Sequence, residues 1–293
     1  MSSYEIEPYR PSDRDEYVAL LGQAWGNQGL SPEEFDWWFD RNPDGSVRSV
    51  ARMDGRVVGA SAHTLHRMVI GGEERLMGFA CHAVTHPSAR GLGIFTALQR
   101  HLEAEAEALG SSLVLGFGNP VTNRMFFGVL GWSDIARYRI WARPVRGRGA
   151  EPGGAGLEVD GDAAAGWRNH VVRDSGHLAW RFLDSPRGYV PVRSSGGYAV
   201  VWPAKPYGER RIGILSDLAA PAKEVSGLLR RAAKVSRGRL LFALPAPEQR
   251  GAFLAAGFVP THLTVNLIGR ALRGTLDLDP RAWRFTLGDA DYY

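Results

Sequence analysis

Lysine is almost missing from this chain. Only Lys205, Lys223 and Lys234 stand among 35 basic residues, the rest being arginine, and with abundant alanine and glycine this reads as the mark of a GC-rich coding sequence rather than of a function. Cysteine is scarcer still: Cys81 alone excludes an intrachain disulfide and any cysteine-cluster metal site, and no metal is expected. Its place in a strand-like run reads as a buried thiol, with a nucleophile or acyl carrier as the alternative. No apolar run approaches the roughly 20 residues that span a bilayer, and the start, MSSYEIEPYRPSDRDEY, is too charged for a signal peptide. No membrane partner and a cytoplasmic location are therefore expected. Basic clusters are missing too. A formal net charge of +4 is spread over scattered arginines, which argues against nucleic acid as a partner.

What is present fits a globular protein with a real core: 293 residues, 44% hydrophobic and 23% charged. At about 150 residues per domain, two domains are expected. The stretch 145–161, VRGRGAEPGGAGLEVDG, is dense in Gly, Pro and Ala and lacks an apolar period, so it reads as a linker between residues 1–144 and 162–293. The two halves repeat a pattern. Trp37-x-Phe39-x3-Pro43-x-Gly45 returns as Trp180-x-Phe182-x3-Pro186-x-Gly188, and Phe127-x3-Gly131-Trp132 returns as Phe253-x3-Gly257-Phe258. Two matches in the same order read as a duplication.

In the first half, residues 49–52 and 56–62 read as strands joined by an Asp54-Gly55 hairpin turn, followed by strands at 65–70 and 76–85 around Gly71-Gly72. Leu98, Leu102 and Leu109 fall near helical spacing, so a helix starts at the glycines before them. Residues 113–117 read as a short buried strand. Helices, an antiparallel meander and then β-loop-helix-β make an α/β sandwich. The junction Arg90-Gly91-Leu92-Gly93-Ile94-Phe95 follows a strand and opens an amphipathic helix. Unpaired N–H groups at such a helix start, with glycines that let a ligand approach closely, suit a pyrophosphate. A plain glycine turn is the alternative.

Together with Val84-Thr85-His86-Pro87 before that loop, and Asn119 and Phe127-x3-Gly131-Trp132 after it, these residues resemble the GNAT N-acyltransferase superfamily over about residues 4–144. The resemblance implies the GNAT fold, a mixed and mostly antiparallel sheet flanked by helices, here duplicated with a degenerate second domain. It implies acetyl-CoA or another acyl-CoA as co-substrate, with Val84 and Thr85 on the pantetheine and Arg90, Gly91, Leu92, Gly93, Ile94 and Phe95 on the pyrophosphate. Asn119 and Phe127 would lie against the cofactor. Two positions depart from the pattern: Phe95 stands where Gly or Ala is usual, and Phe127 replaces a tyrosine that often protonates the departing thiolate. In the second half the matching segment, residues 215–225, has no glycine and no Arg-x-x-Gly, so CoA binding there is expected to be lost.

A base is needed to take the amine proton. His82 is the first candidate, since it precedes Val84 by two residues and would share its face in an extended strand. A hydrogen-bonded strand histidine is the alternative; His86 reads as a turn residue, and His63 or His66 could equally line the cleft. Further candidates are the carboxylates and aromatic end of the tail, Asp289, Asp291 and Tyr293, which could instead only dock the chain end. Asn123 is a candidate for acceptor contact or helix capping. The family's first helices form the acceptor wall, which points to Trp25, Trp37, Trp38 and Phe39, whose faces suit sugar rings, aryl groups or cations, or else pack the core. The expected activity is direct acyl transfer to a small-molecule amine or amino sugar. Rivals are an aminoacyl-tRNA-dependent transferase, which would make tRNA a partner, and a non-catalytic acyl-CoA-sensing module. An oligomer is compatible with the sequence.

Overall fold

The computed structural model describes residues 3–146 and 156–290. In chain order the elements are β1 (Glu5–Pro8), α1 (Arg14–Trp25), α2 (Pro32–Phe35), β2 (Ser46–Met53), β3 (Arg56–Ile70), β4 (Glu73–Thr85), α3 (Ile94–Ala108), β5 (Leu113–Gly118), α4 (Pro120–Gly128) and β6 (Ser133–Pro144). They continue as β7 (Asn169–Val171), α5 (Ser175–Leu178), β8 (Val190–Arg193), β9 (Tyr198–Tyr207), β10 (Arg210–Ala219), α6 (Ala222–Val235), β11 (Leu240–Ala243), α7 (Arg250–Ala255), β12 (Val259–Ala271) and β13 (Trp283–Arg284). Among the described residues no helix is long and apolar enough to cross a membrane.

Two compact units result. The first runs to Ala136 and includes Asn266–Pro280; the second comprises Arg137–Val265 and Arg281 onward. This differs from the expected division at 145–161. The reason is which strand closes each sheet. In the first unit β1, β2, β3 and β4 form an antiparallel meander, β4 pairs in parallel with β5, and β5 is closed by Asn266–Ala271 at the end of β12. In the second unit β8, β9 and β10 repeat the meander, β10 pairs in parallel with β11, and β11 is closed by β6. Each closing strand lies far in sequence from the sheet that it completes. A linker judged by composition cannot register that.

Local chemistry sets the first unit's elements. Asp54 (φ 49°) and Gly55 (φ 77°) form the left-handed pair that a tight hairpin demands, and Gly71 and Gly72 do the same between β3 and β4. The strands expected at 56–62 and 65–70 are one 15-residue strand. Its polar centre does not turn because Ser61 and His63 bond the buried Gln99 of α3. Helix α3 lays Leu98, Leu102 and Ala106 on the sheet, whereas Leu109 is its exposed C-cap. Gly59 permits this approach: a Cβ there would stand 2.7 Å from Ile94 Cγ2.

The repeated motifs occupy matching local structures. Helix α2 runs into a π-turn at Asp36–Asp40, and α5 into one at Ala179–Leu183. Gly45 and Gly188 both have positive φ, as do Gly131 and Gly257. In the second unit α6 buries Val225, Leu228, Leu229, Ala232 and Ala233. Cys81 is a buried thiol on β4.

Candidate active site

The site begins with a fault in β4. Ala60 and Ala62 of β3 face Val84 and Cys81 of β4, so β4 spends one residue more than its partner over that step. The extra residue is accommodated at His82, whose φ of 49° lies in the left-handed region that few residues other than glycine adopt, histidine being among those that do so more often. Alternation therefore breaks at this point, and the argument that His82 shares a face with Val84 does not hold. Tyr17 of α1 fixes the bulge by donating its hydroxyl to the His82 carbonyl at 2.9 Å. Sequence pattern gives no sign of Tyr17's role, because in α1 it reads as one more buried position.

On its other edge β4 pairs with β5 only from Met77/Leu113 to Phe79/Leu115, yet β4 continues to Thr85 and β5 to Gly118. The strands part beyond Phe79, which releases backbone donors and acceptors along the gap. Val84 and Thr85 end β4, opposite Ala60 and Gly59, with Val84 buried. The chain then turns through Pro87–Ala89, capped by His86, and reaches Arg90, Gly91, Leu92 and Gly93, all exposed. Gly91 (φ 81°) and Gly93 (φ 82°) need the left-handed conformation. Gly93 is the N-cap of the 15-residue α3, and no side chain caps that end. The first-turn N–H groups, from Ile94 on, thus lack the usual side-chain acceptor. Nothing lies within 4 Å of a Cβ built at Gly91, and at Gly93 the nearest atom is Tyr4 Oη at 3.8 Å. A pyrophosphate fits this open, donor-rich loop.

Ile94 and Phe95 serve the loop differently from its glycines. Ile94 is buried against Ala51, Ala89 and Leu98. Phe95 turns its ring inward, 5.4 Å from Phe126, so its bulk is removed from the loop's outer face and only its backbone is available there. Phe127 also packs on this core. Asn119 caps α4: its Oδ1 accepts from the N–H groups of Val121 and Thr122 at 3.0 and 3.1 Å. That is the capping role the sequence suggested for Asn123. Asn123 instead leans over Gly118, its Oδ1 buried and without a hydrogen-bond partner.

His82 is 9% exposed and lies among aromatic edges, with centroid distances of 5.8 Å to Phe39, 6.2 Å to Trp25 and 6.3 Å to Trp38. The structure thus brings together His82, Trp25 and Trp38. Trp37 is fully buried beside Trp38 and belongs to the core. Beneath the split strands lies a buried polar group built on His63, a further histidine that the sequence offers as a cleft residue. His63 bonds Gln99 at 3.1 Å, and burial lowers its pKa to about 4. Glu103 accepts from Trp132 Nε1 and pairs with Arg270, both at 2.7 Å, while burial raises its pKa. A histidine, glutamine and glutamate on one apolar face of β3 and α3 were the available signal.

The tail residues divide. Asp291 and Tyr293 lie outside the described residues. Asp289 accepts from Arg173 Nη2 at 2.7 Å and from the Thr286 N–H at 2.7 Å, and Arg173 also pairs with Asp217. Those bonds occupy the Asp289 carboxylate within the second unit. There β10 carries its own bulge at Ser216, whose carbonyl accepts from the Gly288 N–H at 2.6 Å, and Arg284 bonds Gln249 just after β11. The chain's own segment 284–288 therefore bonds β10 at Ser216 and the turn that holds Gln249. At the start of α6, Glu224 accepts from the Gly196 N–H and the Ser195 hydroxyl, so an acidic side chain stands where the first unit has an open glycine loop.

Comparison with known proteins agrees with this geometry. Residues 5–134 match the family model described as an acetyltransferase (GNAT) domain. No curated protein matches the chain in sequence. Among solved structures, a GCN5-related N-acetyltransferase from Kribbella flavida superposes with a TM-score of 0.65 at 13% identity, over 92% of this chain and 71% of that one. Eis1 from Mycobacterium abscessus gives 0.58 at 15%, over 92% and 73%. Saccharomyces cerevisiae N-myristoyltransferase with bound myristoyl-CoA gives 0.63 at 12%, over 92% and 83%. The first unit thus carries the sequence match of a GNAT acetyltransferase domain, in a chain whose α/β fold is that of the GCN5-related N-acetyltransferases.

Proposed function

We propose that this protein transfers an acyl group, most simply acetyl, from coenzyme A directly to the amine of a small molecule. The observation that carries this is the uncapped start of α3 behind Gly91 and Gly93, at the open end of the parted β4 and β5. Backbone N–H groups from Arg90 to Phe95 would hold the pyrophosphate, and those of the β4 edge near Val84 and Thr85 the pantetheine. When bound, the thioester supplies an acyl carbon open to attack. An N–H of the parted strand polarises the carbonyl. His82 receives the proton that the amine nitrogen loses as the C–N bond forms and the C–S bond breaks, and the departing sulfur takes an equal proton from water. Phe127 can donate none.

The second unit reads as a degenerate copy that keeps the bulge but has no open glycine loop at its helix start, and one donor site per chain follows from that reading. Isothermal titration with acetyl-CoA tests the proposal. One molecule is expected per wild-type chain, with at least a hundredfold weaker binding by Gly93→Asp, since a carboxylate there opposes the phosphates and φ 82° strains any side chain. No binding by the wild type overturns it.

A further inference from the structure

The acids of the first unit's helical segment say which amine the site can take, if His82 is where the amine reacts, as proposed above. Six carboxylates lie between Asp15 and Asp40. Asp15 and Asp36 are both paired with Arg14, at 3.2 and 2.7 Å, and Asp40 is paired with Arg48 at 2.6 Å. Glu16 accepts from the Val57 N–H at 2.8 Å, and Glu34 closes the N-terminus of α2 from the Ser31 N–H at 3.0 Å. Glu33 alone has no partner among the described residues. A wall built to hold a polyamine or an aminoglycoside needs several carboxylates left for the acceptor's own charges, because each ammonium brought out of water must be paired. Five of the six already have a partner within the protein, and Asp15, Asp36 and Asp40 make their pairs in solvent rather than in a desolvated wall.

What the segment does present at His82 is aromatic. Trp38 and Phe39 are buried, with their rings edge-on to the imidazole, and Trp25 stands beside it with 42% of its surface exposed. Trp25 ends α1, where Gly26 turns the chain away through a positive φ, so its side chain sits at the rim. An exposed indole next to a buried imidazole offers a flat apolar face to the body of a ligand while its reacting nitrogen reaches the base. Offset or edge-to-face stacking there adds to what the covered apolar area contributes.

We infer that the acceptor is a primary amine joined through a short alkyl chain to a flat, uncharged aromatic ring, with the ring seated on Trp25 and the nitrogen at His82. Only one ammonium then has to give up its proton at the site, and no further counter-charge is required.

The test uses the full chain with acetyl-CoA, following free thiol release against 2-phenylethylamine, tryptamine, glucosamine, spermidine and kanamycin. The two aryl amines are expected to have kcat/KM at least tenfold above the other three. Trp25→Ala should raise KM for the aryl amines about tenfold and leave acetyl-CoA binding by calorimetry unchanged. A preference for spermidine, kanamycin or glucosamine overturns the inference and leaves the acyltransferase reading standing. So does an unchanged aryl-amine KM in Trp25→Ala, and so does bound acetyl-CoA with none of the five amines turned over. Failure of wild-type protein to bind acetyl-CoA instead removes the reading on which the inference rests.

Discussion

The hydroxyl of Tyr17 lies 2.9 Å from the carbonyl oxygen of His82 and donates to it, and this bond ties α1 to the one left-handed residue of β4. Tyr17 is fully buried among Phe35, Phe39 and Tyr9. Tyr17→Phe keeps the ring and removes only the donor. A buried carbonyl left unsatisfied costs about 1–3 kcal/mol. The fold should survive with a lowered melting temperature, acetyl-CoA affinity should be unchanged, and kcat should fall about tenfold as the bulge relaxes. Unaltered kcat in the folded variant would show that the bond is structural only.

The local backbone of the candidate site was legible in the sequence because it is made of local signals. Arg90-x-x-Gly93 marks a turn and a helix start within a few residues, and Asp54-Gly55 and Gly71-Gly72 mark hairpins by their own backbone preferences. What was not legible depends on partners distant in the chain. The bulge at His82 is a mismatch of count between β3 and β4, so neither strand shows it alone. Asn119 rather than Asn123 caps α4 because β5 runs on to Gly118, and strand ends are set by pairing. The closing strands Asn266–Ala271 and Arg137–Pro144 are chosen by sheet edges, which no window of residues contains.

Phe95 is the position where sequence and structure give opposite expectations for a mutant. Read as a loop residue, Phe95→Ala should improve the approach of a phosphate. In the structure its ring packs on Phe126 and is only partly buried. Its loss should therefore destabilise the protein by about 2 kcal/mol, below the 3–5 kcal/mol of a fully buried Phe→Ala change. Urea unfolding and calorimetry with acetyl-CoA together decide this. A stable variant with tighter donor binding would contradict the inward ring.

Asp289 can be separated from catalysis by the same kind of pairing. Arg173 is fully buried between Asp217 and Asp289, and its charge survives burial because of those two carboxylates. Asp289→Ala leaves one of them, so the loss should fall near the lower end of the 3–5 kcal/mol typical of a broken buried pair, about 3 kcal/mol. Donor affinity should be unchanged. A variant of wild-type stability with collapsed kcat would restore Asp289 to the reaction.

His63 gives the pH dependence a sign. Its folded pKa is lowered to about 4 because burial beneath α3 disfavours the charged ring, against 6.5 for a free side chain. As pH falls through 6.5 the unfolded chain takes up a proton that the folded chain refuses, so stability is lost between 6.5 and 4 and levels off below. At pH 5 this histidine alone should cost about 2 kcal/mol relative to pH 7.5. Glu103 acts in the opposite direction, since its raised pKa makes the fold favour the protonated acid at low pH. The His63 contribution is isolated by comparing wild type with His63→Gln, which cannot titrate but can still bond Gln99. Urea unfolding at pH 7.5 and pH 5 should show the wild type losing about 2 kcal/mol more than the variant. Equal losses would mean that the folded state accepts the proton, and that the imidazole is less enclosed than its contacts with Gln99 and the sheet require.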